Sequence, residues 1–120
     1  MLIEEKNVRQ IPGEGPRRWF FDNFFDLIVW YEENNEIKGF QLCYDKFGKE
    51  KVLTWLKAKG YSHDKIDSGE TPGEHKKTPI LVADGPFDKD SIGNRFLSAS
   101  THLEENLKEL VYQKIQEHNI

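Results

Sequence analysis

The sequence predicts an α+β fold, in which an antiparallel meander of four to five strands and one further strand carry two C-terminal helices on one face. Three observations predict it. Of the 3 Trp, 4 Tyr and 8 Phe residues, nine lie between positions 17 and 45, in runs rich in β-branched and aromatic residues. Turn-forming residues separate those runs. Beyond residue 88 the apolar residues recur at helical spacing instead.

The first turn predicts the register of the central hairpin. Asn34 and Asn35 both tolerate positive φ, which suits a two-residue hairpin turn. Opposed positions then sum to 69, so apolar residues meet on one face of the ribbon. The predicted pairs are Val29 with Phe40, Leu27 with Leu42, and Phe25 with Tyr44.

The second turn extends these pairs across a third strand. Residues 45–50 predict a four-residue loop, with Gly48 available for a left-handed position. Pairing Asp45 with Glu50 continues the same face, so we interpret these side chains as core. The resulting rows are Leu27–Leu42–Leu53 and Val29–Phe40–Trp55.

The remaining elements follow from shorter patterns. A hairpin about residues 22–23 would bring Phe20 opposite Phe25. Residues 61–67 are predicted to form an edge strand, and residues 79–83 a buried strand after a loop. Asp88 caps a helix whose apolar positions are Ile92, Phe96 and Ala99, and a capping-box pattern at Thr101 opens a second helix.

Domain organisation follows from the distribution of polar residues. Residues 1–16 are polar and end in PGEGP, which predicts a flexible or loosely docked N-terminal arm. Residues 17–120 then form a single α+β domain, a length that buries a core of useful size.

Composition excludes several classes of function. The net charge of −4 gives no general attraction to nucleic acid or to an anionic membrane. No apolar run approaches the roughly 20 residues that span a bilayer. One cysteine, Cys43, permits no internal disulfide, and no signal-peptide pattern is present, so we predict a cytoplasmic protein. No glycine-rich phosphate loop and no cysteine cluster occurs, so no cofactor is predicted.

The second face of the predicted sheet is mixed rather than polar. It carries Ile28, Trp30 and Leu56, with Trp30 directly across from Gly39, whose bare backbone its ring could cover. Such a face is covered by the N-terminal arm or residues 68–80, or it meets a ligand, a protein partner or a second copy of the chain. The leading hypothesis is therefore a non-enzymatic binding or protein-interaction module, with a homodimer as one form of it.

Two other hypotheses rest on polar residues. His63, Asp67 and His75 lie within thirteen residues and predict a small enzyme or a metal-binding protein, although a solvated edge strand explains the same residues. Arg17 and Arg18 beside a tryptophan form part of the candidate binding patch and offer a weaker hypothesis, a phosphate or nucleic-acid binder.

A resemblance to known proteins adds little to these hypotheses. The patterns RRWFFDNFFDLIVWYE, GFQLCYDK, YSHDKIDSGE and KKTPILVADGPFD resemble a family of small uncharacterised bacterial proteins, from about Arg17 to the final helix. The resemblance implies a bacterial source and a single stand-alone domain. That family has no assigned activity, so the resemblance implies no site residue.

Overall fold

Seven strands form one antiparallel sheet, followed in the chain by two helices. The computed structural model describes residues 1–13, 15–48, 50–67, 80–83 and 89–117, and in this part of the chain each strand pairs with the next in sequence order. The α+β class, the antiparallel meander and the two C-terminal helices are therefore confirmed. The elements are β1 (Ile3–Glu4), β2 (Arg17–Phe21), β3 (Phe25–Tyr31), β4 (Ile37–Tyr44), β5 (Lys51–Leu56), β6 (Gly60–Asp67), β7 (Ile80–Ala83), α1 (Lys89–Ala99) and α2 (Glu105–Glu117).

The core lies between the two helices and one face of the sheet, which we call the helix-side face. Both predicted rows are confirmed: Leu42 faces Leu27 and Leu53, and Phe40 faces Val29 and Trp55. Phe25 meets the Phe96 ring edge-on at 6.1 Å between ring centroids. Each large side chain buried here contributes about 1.5–3 kcal/mol. The helices contribute Ile92, Phe96, Ala99, Leu107, Val111 and Ile115 to this core.

The β3–β4 turn differs from the prediction, although the register does not. The Glu32 amide donates to the Glu36 carbonyl, which leaves a three-residue loop in which Asn35 has a φ of 68°. The two-residue turn is therefore wrong. Trp30 still faces Gly39, because the register shifts by one at a β-bulge in which Lys38 is the extra residue. The bulge offsets the longer loop, so every predicted pair beyond it is retained.

The β2–β3 turn also differs from the prediction. Phe20 faces Leu27, not Phe25. Asp22 Oδ1 accepts hydrogen bonds from the amides of Phe24 (2.8 Å) and Phe25 (2.6 Å), which stabilises a longer turn. A shift of two residues leaves every side chain on its predicted face, so Phe20 is still buried against the core.

In the β4–β5 turn the left-handed residue is Asp45, with a φ of 58°, rather than Gly48. A Cβ at Gly48 would lie 2.5 Å from an oxygen of the Asp45 carboxylate. Gly48 is therefore favoured by close approach and not by a positive φ.

The predicted edge strand is interior. β6 pairs with β5 on one side and with β7 on the other. Its charges do not prevent a further strand from pairing, because the backbone groups of its outer edge gain hydrogen bonds from β7. A strand at 79–83 was predicted, and β7 confirms it.

The N-terminal arm forms a strand that was not predicted. β1 pairs with β2, and the Leu2 amide donates to the Ala99 carbonyl at 2.8 Å. Gln10 completes the cover of this edge, because its side-chain amide bonds both the Arg17 amide and the Arg17 carbonyl at 3.0 Å. The flexibility of the arm stays a prediction.

The helix boundaries differ in part from the prediction. α2 begins at Glu105, three residues later than the capping-box pattern at Thr101 indicates, so that helix start is wrong. The intervening turn is held by the Leu103 amide, which donates to the Ser100 carbonyl at 3.0 Å. Asp88, the predicted cap of α1, lies outside the described residues.

Candidate functional site

The candidate site lies on the face of the sheet opposite the helices, which we call the open face because neither helix packs on it. Its rows follow from the strand register. One row crosses the sheet at the end where the β3–β4 and β5–β6 turns lie, and the next row is parallel to it. The first row is Arg17, Trp30, Gly39, Leu56 and Gly60, and the second is Trp19, Ile28, Gln41, Thr54 and Ser62.

A groove of about 430 Å³ opens in the first row. Trp30 and Leu56 form its apolar part, and both side chains are half-buried. We call it the Trp30 groove, defined by Trp30, Lys38, Leu56, Ala58 and Lys59. Its volume falls in the range of pockets that bind small ligands in proteins.

Gly39 lies beneath the groove and does not line it, because it is buried and the Leu56 side chain covers it. It lies on β4 between Trp30 on β3 and Leu56 on β5, and it has no side chain to fill the row. A Cβ at this position would lie 2.5 Å from the Trp55 carbonyl oxygen and 2.6 Å from Leu56 Cδ2. The side chain nearest to the bare backbone is thus Leu56 and not, as expected, the Trp30 ring.

Two turns place the lysines of the groove. Lys38 is the extra residue of the β-bulge, so its side chain is released from the regular alternation of β4. Lys59 lies in the β5–β6 turn, where its amide donates to the Leu56 carbonyl at 3.0 Å. Gly60 follows with a φ of 85°, a conformation that glycine adopts without strain.

The charges around the groove are unevenly compensated. Lys57 Nζ lies 3.7 Å from a Glu32 carboxylate oxygen and 3.6 Å from one of Glu36, so two acids neutralise it. Lys38 and Lys59 are exposed and have no ion-pair partner in the described part of the chain. The Trp30 groove therefore has an apolar floor and two lysines as its charged lining residues, whereas the neighbouring cluster of Lys57, Glu32 and Glu36 has a net charge of −1.

Of the predicted binding patch, the structure brings only part together. Trp30 and Leu56 line one groove, whereas Ile28 and Arg17 lie on the same face without lining it. Arg18 lies on the helix-side face, because neighbouring residues of a strand alternate between faces.

Arg18 has a structural environment there. Its guanidinium donates to Glu4 (2.8 Å), to Glu104 (2.8 Å) and to the Tyr31 hydroxyl (3.3 Å). The hydrogen bond to Arg18 holds the pKa of Glu4 below its usual value. Arg17 donates from Nε to the Arg9 carbonyl oxygen at 2.6 Å. Both arginines are thus engaged within the protein.

The far end of the open face is polar and more deeply buried. Asp26 Oδ1 accepts from Trp19 Nε1 at 3.1 Å and from Lys46 Nζ at 3.2 Å. Burial, followed by the charge of Glu50, raises the pKa of the adjacent Cys43 thiol to about 12. Cys43 is therefore protonated at neutral pH and is a poor nucleophile.

The predicted metal or acid–base residues are only partly described. His63 is buried, with 5% of its surface exposed, and its Nε2 lies 2.6 Å from the Tyr44 hydroxyl. Asp67 lies four residues along β6, about 13 Å away at the usual strand rise. The Asp67 side chain and all of His75 lie outside the described residues. Within the described part, no group of three or more His, Cys, Asp or Glu residues could hold a metal ion.

A second cavity of about 870 Å³ adjoins the groove across Lys38. Arm residues 10–13 and 15–16 form one wall, and residues 31–33 form the other. Glu32 and Glu33 lie in that wall, so the cavity has no consistent sign of charge. The Trp30 groove is the better candidate for a binding site, because both charged residues that line it are lysines.

Sequence reasoning identified the apolar walls of the groove and missed Lys38, Ala58 and Lys59. The strand register places Trp30 and Leu56, but it does not reveal a bulge. The signal for Lys59 was present, because a glycine directly after a short polar segment is typical of a three-residue hairpin loop.

Comparison of the chain with protein-family models, with curated proteins and with solved structures finds no match. The resemblance to a bacterial family therefore stays a prediction. Neither α1 nor α2, the helices within the described ranges, is long and apolar enough to cross a membrane.

Proposed function

We propose that this chain is a non-enzymatic binding module that recognises its ligand or partner through the Trp30 groove on the open face. The observation that supports the proposal is the groove itself, in which a half-buried tryptophan and a leucine lie beside two lysines that have no ion-pair partner among the described residues. Tryptophan is the residue most enriched at the energetic centres of interfaces.

The outer edge of β2 is already occupied, which favours recognition through a face of the sheet over recognition by an added strand at this edge. β1, the Glu5 amide and the Gln10 side chain occupy the outer edge of β2. A partner that adds a strand would have to displace them. A cytoplasmic setting, which the sequence predicts, and a bacterial source, which the resemblance implies, belong to the same proposal.

An enzymatic function has less support. A catalytic site needs a nucleophile or base within reach of a substrate. Cys43 has a raised pKa, and His63 is buried against Tyr44 rather than facing either cavity. A binding function requires neither group.

The test is a fragment screen by ¹⁵N–¹H NMR, with a library that contains neutral, cationic and anionic compounds. Hits should perturb the amides of Trp30, Gly39 and Leu56 first. Trp30→Ala should abolish these shifts while most of the spectrum is unchanged. Trp19→Ala is the matched control, because Trp19 lies on the same face with 36% of its surface exposed and does not line the groove. Perturbations that scatter over the surface, or that persist in Trp30→Ala, would refute the proposal.

The same variant distinguishes a recognition surface from a purely structural role. Truncating a core aromatic costs about 3–5 kcal/mol. Because Trp30 is only half-buried, we expect Trp30→Ala to lose much less than that in a thermal melt. A loss in the full core range would indicate that Trp30 serves folding and not recognition.

A further inference from the structure

The rim of the Trp30 groove carries positive charge that the fold does not neutralise. Lys57, in the same turn as Lys59, is neutralised by two glutamates. Lys38 and Lys59 have no such partner among the described residues, although the chain as a whole carries a net charge of −4. The two lysine ammonium groups beside this cavity therefore attract an anion. The net negative charge of the whole protein has the opposite effect.

The floor of the groove favours an apolar body in that anion. Trp30 and Leu56 lie on strands two positions apart, about 9–10 Å at the usual strand spacing. The groove between these two side chains is lined otherwise by Ala58 and by the two lysines, so a flat ring or a short acyl chain fits against its apolar walls. A strongly hydrated anion such as inorganic phosphate would leave these apolar walls uncovered and would gain only the lysines.

The charges also argue against the other occupants. A symmetric dimer built on this groove would bring the four lysines of the two grooves into one interface, and like charges oppose such an interface. A cation could stack on Trp30, but both lysines would repel it. Nucleic acid requires many more cations than two.

We infer that the Trp30 groove binds small organic monoanions, a carboxylate or sulfonate attached to an aromatic ring or a short acyl chain. This inference rests on the proposed function and specifies its ligand class. The acid group lies between the ammonium groups of Lys38 and Lys59, and the apolar body packs against Trp30 and Leu56. No covalent step is involved.

Three probes that share one ring system test the charge preference: 2-naphthoate, the neutral 2-naphthylmethanol and 2-naphthylmethylammonium. Each is titrated into the ¹⁵N-labelled protein at low salt. Two ammonium groups about 6 Å from a carboxylate in water favour it about tenfold over the neutral probe. The preference should shrink as salt is raised to 1 M, where the screening length falls to about 3 Å.

Variants assign the preference to the two lysines. Lys38→Gln combined with Lys59→Gln should reduce the affinity for 2-naphthoate to that for 2-naphthylmethanol. The control removes two exposed lysines far from the groove, Lys6→Gln with Lys89→Gln, and it should retain most of the preference although the net charge changes equally.

The outcomes separate the ligand class from the binding function. Equal affinity for all three probes at the groove, or a preference that survives loss of both rim lysines, overturns the inference and leaves the binding module intact. No binding of any probe or fragment at the groove overturns both. A dimer that sedimentation detects, and that Trp30→Ala dissociates, replaces the small anion with a second copy of the chain.

Discussion

Adding a single methyl group at Gly39 tests the geometry of the groove directly. In Gly39→Ala the new Cβ would lie 2.5 Å from the Trp55 carbonyl oxygen, about 0.8 Å closer than the roughly 3.3 Å at which a carbon and a carbonyl oxygen normally meet. The carbonyl belongs to the backbone of β5, so it cannot rotate away. β4 and β5 must separate locally, or Leu56 must leave its position.

The expected cost follows from known core substitutions. Forcing an extra methyl group into a packed site costs about 1–3 kcal/mol. For 120 residues the entropy of unfolding is about 0.25 kcal/mol/K, so the melting temperature should fall by about 4–12 °C. Differential scanning calorimetry measures both quantities on the same sample.

Gly93→Ala is the matched control. Its added Cβ would also meet neighbours, but these are side chains: Tyr112 Cε1 at 3.2 Å, and Nε2 of Gln116, the end of a flexible side chain that donates to the Lys89 carbonyl. Replacing glycine by alanine within a helix gains up to about 1 kcal/mol. We therefore expect Gly93→Ala to stay within about 1 kcal/mol of the parent. If Gly39→Ala is as stable as the parent, β4 and β5 do not approach as described, and the account of the groove is wrong.

Two further predictions concern ionisable groups. Because the pKa of Cys43 is raised to about 12, iodoacetamide at pH 8 should modify the folded protein far more slowly than the urea-unfolded chain, and equal rates in mass spectrometry would contradict the burial of the thiol. Arg18 lowers the folded-state pKa of Glu4, so this contact stabilises the protein above the unfolded pKa of about 4.3 and is lost as pH falls through the lower folded value. Glu4→Gln should thus reduce the loss of unfolding free energy on acidification, by no more than about 1 kcal/mol because the pair is exposed. Parallel curves of unfolding free energy against pH for parent and variant would refute the coupling.

The helix-side rows were predictable because the hairpin register is a matter of arithmetic. Once a turn is located, every opposed pair follows, and a one-residue error would expose the core. That constraint explains why the Leu27–Leu42–Leu53 row was correct although the turn beside it was wrong. The bulge at Lys38 compensates for the change in loop length, so the register beyond it is unchanged. The position of such a bulge depends on the turn type and not on the hydrophobic pattern.

The wrong predictions concern places where side chains form hydrogen bonds with backbone amides and carbonyls. Asp22 accepts two amide hydrogen bonds and lengthens the β2–β3 turn, and Gln10 replaces a strand along part of the β2 edge. The pattern of apolar residues carries no information on either contact. The position of β6 inside the sheet could not be predicted for a related reason, since its partner β7 follows only after residues 68–79.

The candidate site was predictable to the same extent as the sheet. The register predicted from the turns places Trp30, Gly39 and Leu56 in one row, as the structure does. The rim could not be predicted, because the direction of Lys38 and Lys59 depends on a bulge and a turn. Charge partners were likewise hidden, since Lys57 meets Glu32 only when two separate turns come together.

The strictly sequential order of the sheet has a consequence for synthesis on the ribosome. Strands β2 to β5 can pair as each one emerges, because every partner is the next element in the chain. Their apolar cover comes last, from residues 89–117. A nascent chain that has not reached this segment therefore presents Phe25, Phe40 and Leu42 on an uncovered sheet. Such intermediates bind chaperones or aggregate, so the sheet is protected only after both helices have left the ribosome.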